Sequence, residues 1–373
     1  LDQPTADGVY AAVRACDAAA PGTAWLLGSG WSPAAFDGGA PSRAQLDALL
    51  PGRPAFLTTD DGATAWVNTQ ALAIAGIEAA SGIVDGADAQ AIRRRIPAPS
   101  PAQYRAALQR ATLLAQRSGI TSVFDAAASA TMLDAYAAAD RAGELGLRVV
   151  AAQRVDPALG VAQVDAMIVR REALSGRHLR AAAAKLFLDG EFARHDAALL
   201  APYADAPDSR GALLLDRGVL DGIVRRLDAA GFQLHLHAMG DGAVRAGLDA
   251  LARAARVNGP RDRRHQIAHL GLVDASDLGR FKTLGVAANV QPQWAQADDP
   301  ALAGITRALG ARRSARLYPI GSLGAAGARI VIGSDWPSTA LNPLQSIQVA
   351  LTRQPLADSK PAFGARQRIG LAA

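Results

Sequence analysis

Cysteine is almost missing from this chain: Cys16 is the single one in 373 residues, so no internal disulfide can form and the redox compartment stays unread. Long apolar runs are missing too. The longest, such as the one through Ala181 to Leu188, are broken by charge or glycine well short of the ~20 residues that a membrane helix needs, which excludes a spanning segment of that kind. A large excess of one sign of charge is also lacking. Lys+Arg 39 against Asp+Glu 34 gives +5, and outside short clusters at Arg93 to Arg95 and Arg261 to Arg264 the basic residues are scattered among acids. Nothing here makes an electrostatic nucleic-acid binder. The chain opens Leu1-Asp2-Gln3-Pro4 with no charged-then-apolar leader, and its first methionine is Met132. It is therefore expected to be cut from something longer, with a cytoplasmic or periplasmic location. Lysine is scarce as well: only Lys185, Lys282 and Lys360 interrupt the arginine bias, and Lys185 sits inside an apolar, strand-like run.

What is present is core material. With 50% hydrophobic and 20% charged residues the chain can bury a large interior, as one or two domains. From about residue 99 onward, short apolar runs alternate with amphipathic stretches, the pattern of repeated βα units on a parallel sheet. Strands are expected over 120–125, 147–153, 183–189, 232–237, 265–270, 286–291 and 329–335. Helices are expected over 101–117, 131–142, 219–230, 242–257, 274–284 and 312–327. Residues 1–98 read differently, rich in Ala, Gly, Pro and Asp, with Trp25, Trp31 and Trp66 and one short strand at 53–57. They look like an insertion or lid rather than a βα repeat.

Seven parallel strands fit either an open doubly wound sheet or a (β/α)8 barrel lacking one strand. An open sheet places function at a topological switch point, usually beside a glycine-rich phosphate loop, and no such loop occurs. Instead polar residues recur at the C-terminal end of strand after strand: Asp125, Lys185 with Asp189, His237, His269, Gln291 and Asp335. A ring of strand-end residues is what the mouth of a barrel requires. A TIM barrel over residues 99–373 is the expected fold.

In His235-Leu236-His237, period-two alternation points both imidazoles to one side of the strand. For one histidine alone a satisfied structural role is commoner than metal binding, and Asp241 has an ordinary reading as a helix N-cap. The set carries the argument. His269 closes the next strand, and Asp335 follows four apolar residues where a carboxylate is costly unless a cation or donor meets it. Imidazoles and carboxylates from separate strands make an N/O site suited to zinc or a similar divalent metal. Lys185 would be repelled by a metal as an ammonium, but a buried lysine of lowered pKa has a neutral fraction that can react with carbon dioxide, and the carbamate is an anionic oxygen ligand.

This combination resembles the amidohydrolase superfamily, most closely its amidohydrolase family 3 branch, which includes N-substituted formamide deformylase. The resemblance rests on Trp25-Leu26-Leu27-Gly28-Ser29-Gly30-Trp31 and Ala65-Trp66-Val67-Asn68-Thr69-Gln70-Ala71-Leu72. It continues through Gly119 to Val123, Lys185-Leu186-Phe187-Leu188-Asp189-Gly190, His237-Ala238-Met239-Gly240-Asp241, Ile267-Ala268-His269, Val290-Gln291-Pro292 and Gly333-Ser334-Asp335-Trp336-Pro337. It implies a metal-dependent hydrolase acting on a small-molecule amide, with one or two divalent ions, Zn2+ foremost. Lys185 would be the carbamylated bridging ligand, His237 and His269 imidazole ligands, and Asp335 both ligand and proton shuttle. Substrate contacts are expected at Trp66, Asn68, Asp189, Gln291 and Trp336. His235 has no assigned role beyond the core or a place beside the site, while His178, His195 and His265 are expected at the surface or in packing.

Two departures stand out. The resembling family carries a His-x-His pair on strand one and returns at its C-terminus to a small β-sandwich. Neither pattern is found before residue 120 or after Leu371, so the barrel is expected to lack strand one and the flanking sandwich segments. An Asp-Gly-His pattern is replaced by Asp61-Gly62-Ala63. Ester, lactone or phosphotriester hydrolysis on the same barrel, or a non-catalytic descendant, are the alternatives. Association into a homo-oligomer is left open.

Overall fold

The computed structural model describes residues 1–19, 21, 24–59, 62, 64–296, 302–356 and 360–372, and the chain divides into two compact units, Leu1–Ser100 and Pro101–Ala373. Asp61 and Ala63 of the altered triplet lie outside the described residues. No helix of the described residues is long and apolar enough to cross a membrane.

The first unit is built on a four-stranded sheet: β1 (Leu26–Trp31), β2 (Ala55–Thr59), β3 (Thr64–Val67) and β4 (Ile83–Asp85), in that order. β1 and β2 are parallel, and the other two pairs are antiparallel. Trp31 and Trp66, both fully buried, pack with Leu46 and Leu57 in its core. Sequence patterning pointed to one strand here, because strands of three to six residues are too short to develop a readable alternation.

The second unit carries seven strands: β5 (Ser122–Ala128), β6 (Arg148–Arg154), β7 (Leu179–Phe187), β8 (Gln233–Ala238), β9 (Gln266–His269), β10 (Ala287–Val290) and β11 (Arg329–Ile332). Every pairing is parallel and the spatial order is the sequence order, from β5 to β11. A doubly wound sheet would reverse its order in the middle, and this one never does. It is a TIM-barrel-like α/β fold, with β5 and β11 as its two edges.

Alternation along the strands decides what faces where. On β7 and β8, Leu186, Leu234 and Leu236 are fully buried in the layer shared with Leu220, Ile223 and Val224 of the helix Arg217–Ala229 and with Val244, Leu248 and Leu251 of the helix Asp241–Asn258. The opposite side carries Lys185, His235 and His237. The inner strands β8 to β10 are buried almost throughout, whereas β11 alternates exposed with half-buried and β5 is half-buried along most of its length.

Two sequence expectations need correction. The stretch 312–327 is not one helix but two short ones, Ala311–Ser314 and Ile320–Ala325, because Pro319 takes the N-cap of the second and Tyr318 is left-handed at φ 51°. Asp125 does not end a strand. It lies midway along β5, where its carboxylate accepts from the Ala127 amide (3.1 Å) and the Tyr136 hydroxyl (2.9 Å).

Candidate functional site

The site is assembled from neighbouring strands by register. Lys185 pairs with His235 and Phe187 with His237 across β7 and β8, while Ala238 pairs with His269 across β8 and β9. Register puts Lys185, His235 and His237 on the inner side of β7 and β8, while His269, whose register partner Ala238 faces the helix layer, meets His237 from a left-handed backbone (φ 74°). The rings of His237 and His269 are 4.6 Å apart between centroids, His269 lies flat on Trp294 at 5.0 Å, and His235 stacks on Phe124 at 5.2 Å. The Lys185 ammonium sits 4.8 Å over the Phe187 ring.

Burial governs the electrostatics. It lowers the Lys185 amine to about 8, with the Asp335 carboxylate pulling the other way. Burial, followed by the Lys185 cation, lowers His237 to about 3, and the same two causes in the same order hold His235 well below its ordinary value. For His269 burial comes first, then the neighbouring His237. All three imidazoles are therefore neutral at physiological pH, the form that offers a lone pair to a cation.

Those lone pairs have no protein partner. Nδ1 of His235, Nε2 of His237 and Nδ1 of His269 are buried without a hydrogen bond, as is Oε1 of Gln291 just past β10. The nearest acidic oxygen to His237 Nε2 is Asp189 Oδ1 at 3.7 Å, beyond hydrogen-bond range. An unpaired buried polar atom costs roughly 1–3 kcal/mol, and these four lie along β8, at the end of β9 and just past β10. At the end of β9, His269 and Leu270 are consecutive left-handed residues at φ 74° and 51°, held there as Leu270 donates to the Ala238 carbonyl (3.0 Å).

The other expected site residues are placed as follows. Asp189 is buried, and its carboxylate accepts from the amides of Ala198 (2.9 Å), Met239 (3.0 Å) and Gly240 (2.9 Å), lacing the loop after β7 to the end of β8. Burial pushes its carboxyl up to about 7 against those three donors. Gly240 is required there, since a Cβ would stand 2.1 Å from the Ala198 carbonyl oxygen. Asp241 is not the N-cap, which is Gly240; its carboxylate accepts from the Leu200 amide at 2.9 Å. Asp335 is exposed, three residues beyond β11, with φ 55° and with Lys185 as its electrostatic neighbour. Trp336 is 45% exposed. In the first unit, Trp66 is fully buried and donates from its indole to the Ser42 carbonyl (2.9 Å). Asn68 is equally buried, caps the helix Thr69–Ala75 and bonds the backbone at Ala55 and Arg53. Both spend their polar atoms on the fold of that unit.

The structure thus brings together Lys185, His235, His237 and His269. It does not gather a full His/Asp ligand set, because among the described residues no three His, Cys, Asp or Glu side chains form a group able to hold a metal ion. Sequence reasoning missed Phe187, Trp294 and Arg154. All three sit at or just past a strand end, the position that singled out the histidines, but aromatic and arginine side chains there carried no metal-ligand chemistry to flag them.

His265, expected at the surface or in packing, is buried at the other end of the sheet. Its Nδ1 accepts from the Leu234 amide (3.0 Å), so Nε2 carries the proton and donates to Asp228 (2.9 Å). His178 bonds the Leu145 carbonyl (2.8 Å) and His195 pairs with Asp205 (2.7 Å).

Strand order, all-parallel pairing and a strand-end cluster of neutral imidazoles beside a buried lysine define a TIM-barrel-like α/β protein with its polar centre at the C-terminal ends of the strands. The chain belongs to the amidohydrolase family, family 3, whose profile matches residues 1–372. It is 28% identical over 359 residues to Protein LONG AFTER FAR-RED 3 of Arabidopsis thaliana, covering 89% of this chain and 60% of that protein. It is 26% identical over 376 residues to YtcJ of Bacillus subtilis, covering 93% and 68%. An uncharacterized metal-dependent hydrolase from Pyrococcus furiosus shares the fold at TM-score 0.77 and 24% identity, over 98% of this chain and 73% of that one. The chain therefore spans about three fifths of the length of the plant relative.

Proposed function

We propose that this chain belongs to a hydrolase that cleaves a non-peptide amide C–N bond in a small molecule with the help of one or two divalent cations, Zn2+ best suiting the donors. The observation that carries the reading is the pair of buried, partnerless nitrogens, His237 Nε2 and His269 Nδ1, on adjoining rings beside a buried lysine. Neutral imidazole nitrogen is a zinc donor, and a buried nitrogen with nothing to bond is best explained by something that completes it. His237 and His269 would hold the cation, with Asp335 as the acidic member of the set. A cation bound there supplies polarisation of a carbonyl and acidification of a water.

The chain's own residues do the rest. The Lys185 amine, brought to about 8, is neutral often enough to add carbon dioxide. The new N–C bond forms as one proton leaves the nitrogen, and the lysine becomes an anionic oxygen donor. Asp335 accepts a proton from water on its carboxylate and delivers it to the departing nitrogen, turning a poor amide leaving group into an amine. Gln291 Oε1, unpartnered, and the exposed Trp336 offer contacts to the substrate. Asp189 keeps the loops after β7 and β8 in place while this happens.

The test is metal analysis of the purified protein after dialysis, paired with an amide screen. Stoichiometric zinc that is lost in His237→Asn and His269→Asn, together with amide turnover that is lost in step with it, is the expected result. A protein that binds no divalent ion when reconstituted overturns the reading. Turnover of esters but not of matched amides reassigns the bond.

A further inference from the structure

Side chains on β9 alternate as strand pairing dictates until its last residue. Ile267 lies in the layer shared with the helices, and Ala268 pairs with Asn289, whose side-chain amide donates to Gln266 on the inner side (2.7 Å). By that alternation His269 should face the helix layer, as its register partner Ala238 does, and Leu270 should turn inward. The reverse is found. Leu270 is fully buried in the helix layer and His269 meets His237 on the inner side, because two consecutive left-handed residues, φ 74° and 51°, shift the alternation by one. Burial of Leu270 and the bond from its amide to the Ala238 carbonyl (3.0 Å) hold the backbone half of this exchange. The imidazole has no such anchor at Nδ1, which is buried without a hydrogen bond.

Its anchor is the face of Trp294. Indole and imidazole lie within 5° of parallel at 5.0 Å between centroids, flatter than His235 on Phe124 at 28°. A contact this flat admits one orientation of the imidazole plane, where an edge contact would tolerate tilting. Trp294 ends the single helical turn Pro292–Trp294, and that turn is pinned by its own Gln293. Gln293 is 7% exposed; its Nε2 donates to the Ser346 hydroxyl (2.8 Å) and the Ala340 carbonyl (3.1 Å), and its Oε1 accepts from the Ala340 amide (3.3 Å). Ala340 belongs to the stretch between β11 and the helix Pro343–Thr352, the same stretch that carries Asp335.

We propose that Trp294 is a positioning residue for His269: its indole face holds the imidazole on the inner side of the sheet beside His237, and Gln293 fixes that indole against the segment bearing Asp335. The proposal deepens the hydrolase reading above and rests on it only for the cation that the two imidazoles would share. Their orientation is a property of the protein by itself and is measured without any ion.

The experiment is NMR of the metal-free protein with labelled histidine, followed by calorimetric titration with zinc chloride, on the native chain and on Trp294→Phe, Trp294→Leu and Gln293→Leu. His237→Asn and His269→Asn assign the two signals. The native protein should show a nuclear Overhauser contact between the rings of His237 and His269. Trp294→Leu keeps apolar bulk without a flat face; it should lose that contact and bind zinc about tenfold more weakly, as expected when the support of a metal ligand is removed. Trp294→Phe should restore the contact and most of the affinity. Gln293→Leu leaves the indole in place on a loosened turn and should weaken zinc about fivefold, the worth of one hydrogen bond. The His265 proton bonded to Asp228, at the far end of the sheet, verifies the fold of each variant. Native ring contact and zinc affinity in Trp294→Leu overturn the proposal, as does a phenylalanine variant no better than the leucine one, which reduces Trp294 to a filler of space. If Trp294→Leu fails to fold, Gln293→Leu decides in its place, and native behaviour there overturns the proposal. Absence of zinc uptake by the native protein overturns the hydrolase reading alone, since loss of the ring contact in Trp294→Leu and its return in Trp294→Phe still support the positioning role.

Discussion

The two ends of the seven-stranded sheet bury similar chemistry and treat it in opposite ways. Below the N-terminal end, Asp228 is buried and every partner is in place: His265 Nε2 (2.9 Å), Arg263 Nε (2.8 Å), Arg261 Nη2 (2.5 Å) and Asn258 Nδ2 (2.8 Å). Burial opposes ionisation, but those donors prevail and hold the carboxyl far below its usual range. At the C-terminal end, three imidazoles and Gln291 are buried with an acceptor each left open. A fully satisfied network ties the helix Arg217–Ala229 to the segment entering β9 and serves stability, while an unsatisfied one costs stability and leaves its atoms open to a ligand. Bottom and top of one sheet thus separate satisfied polar groups from open ones.

The widest test of that contrast is on activity. If the proposed chemistry holds, Lys185→Arg keeps the charge but cannot form the proposed carbamate, and His237→Asn removes a proposed cation donor, so each is expected to reduce amide turnover on the order of 10³-fold or more, several kcal/mol of transition-state stabilisation. Steady-state kinetics with metal content measured on the same samples checks this, and near-native turnover in Lys185→Arg would leave that residue a packing role. Next in size is the bottom network. Asp228→Ala strands two guanidinium groups and should cost about 3–5 kcal/mol in urea unfolding, yet leave the remaining folded protein able to bind the proposed cation.

The same carboxylate sets an acid limit. Its pKa is depressed in the folded state relative to about 3.9 unfolded, so below that value the unfolded chain binds more protons. The stabilisation from Asp228 is therefore complete above pH ~4 and lost as pH falls through the folded value. Urea midpoints measured between about pH 5 and 2 should fall more steeply in the native protein than in Asp228→Asn, and parallel slopes would contradict the assignment. The smallest expected effect is at the top. His235→Phe replaces a buried imidazole with an open acceptor by a ring of similar shape against Phe124, and should be neutral or stabilising by up to about 1 kcal/mol. A loss of more than that would mean His235 has a structural partner after all, and the contrast between the two ends would narrow.

Periodicity and strand-end chemistry were enough to read seven strands in order, most helices of the second unit, and Lys185, His237 and His269 as neighbours, because a parallel βα repeat maps each strand end onto one face. The four-stranded sheet of the first unit was not legible beyond one strand, since its stability comes from packing Trp31, Trp66 and Leu57 across short segments rather than from any local pattern. Nor could a sequence say which polar side chains end up satisfied. Asp189 and Asp228 look alike along the chain as acids beside glycine or alanine, and so do His235 and His265 as histidines in strands. Only three-dimensional register decides that Asp189 meets three amides, that Asp228 meets a histidine, two arginines and an asparagine, and that the nitrogens at the strand ends meet nothing. Hydrogen bonding is short-ranged and directional, so satisfaction depends on neighbours that can lie far apart in the chain, as Asp228 and His265 do at a separation of 37. Residue type and spacing determined which groups this protein had available for chemistry; the tertiary fold decided which of them remained free to perform it.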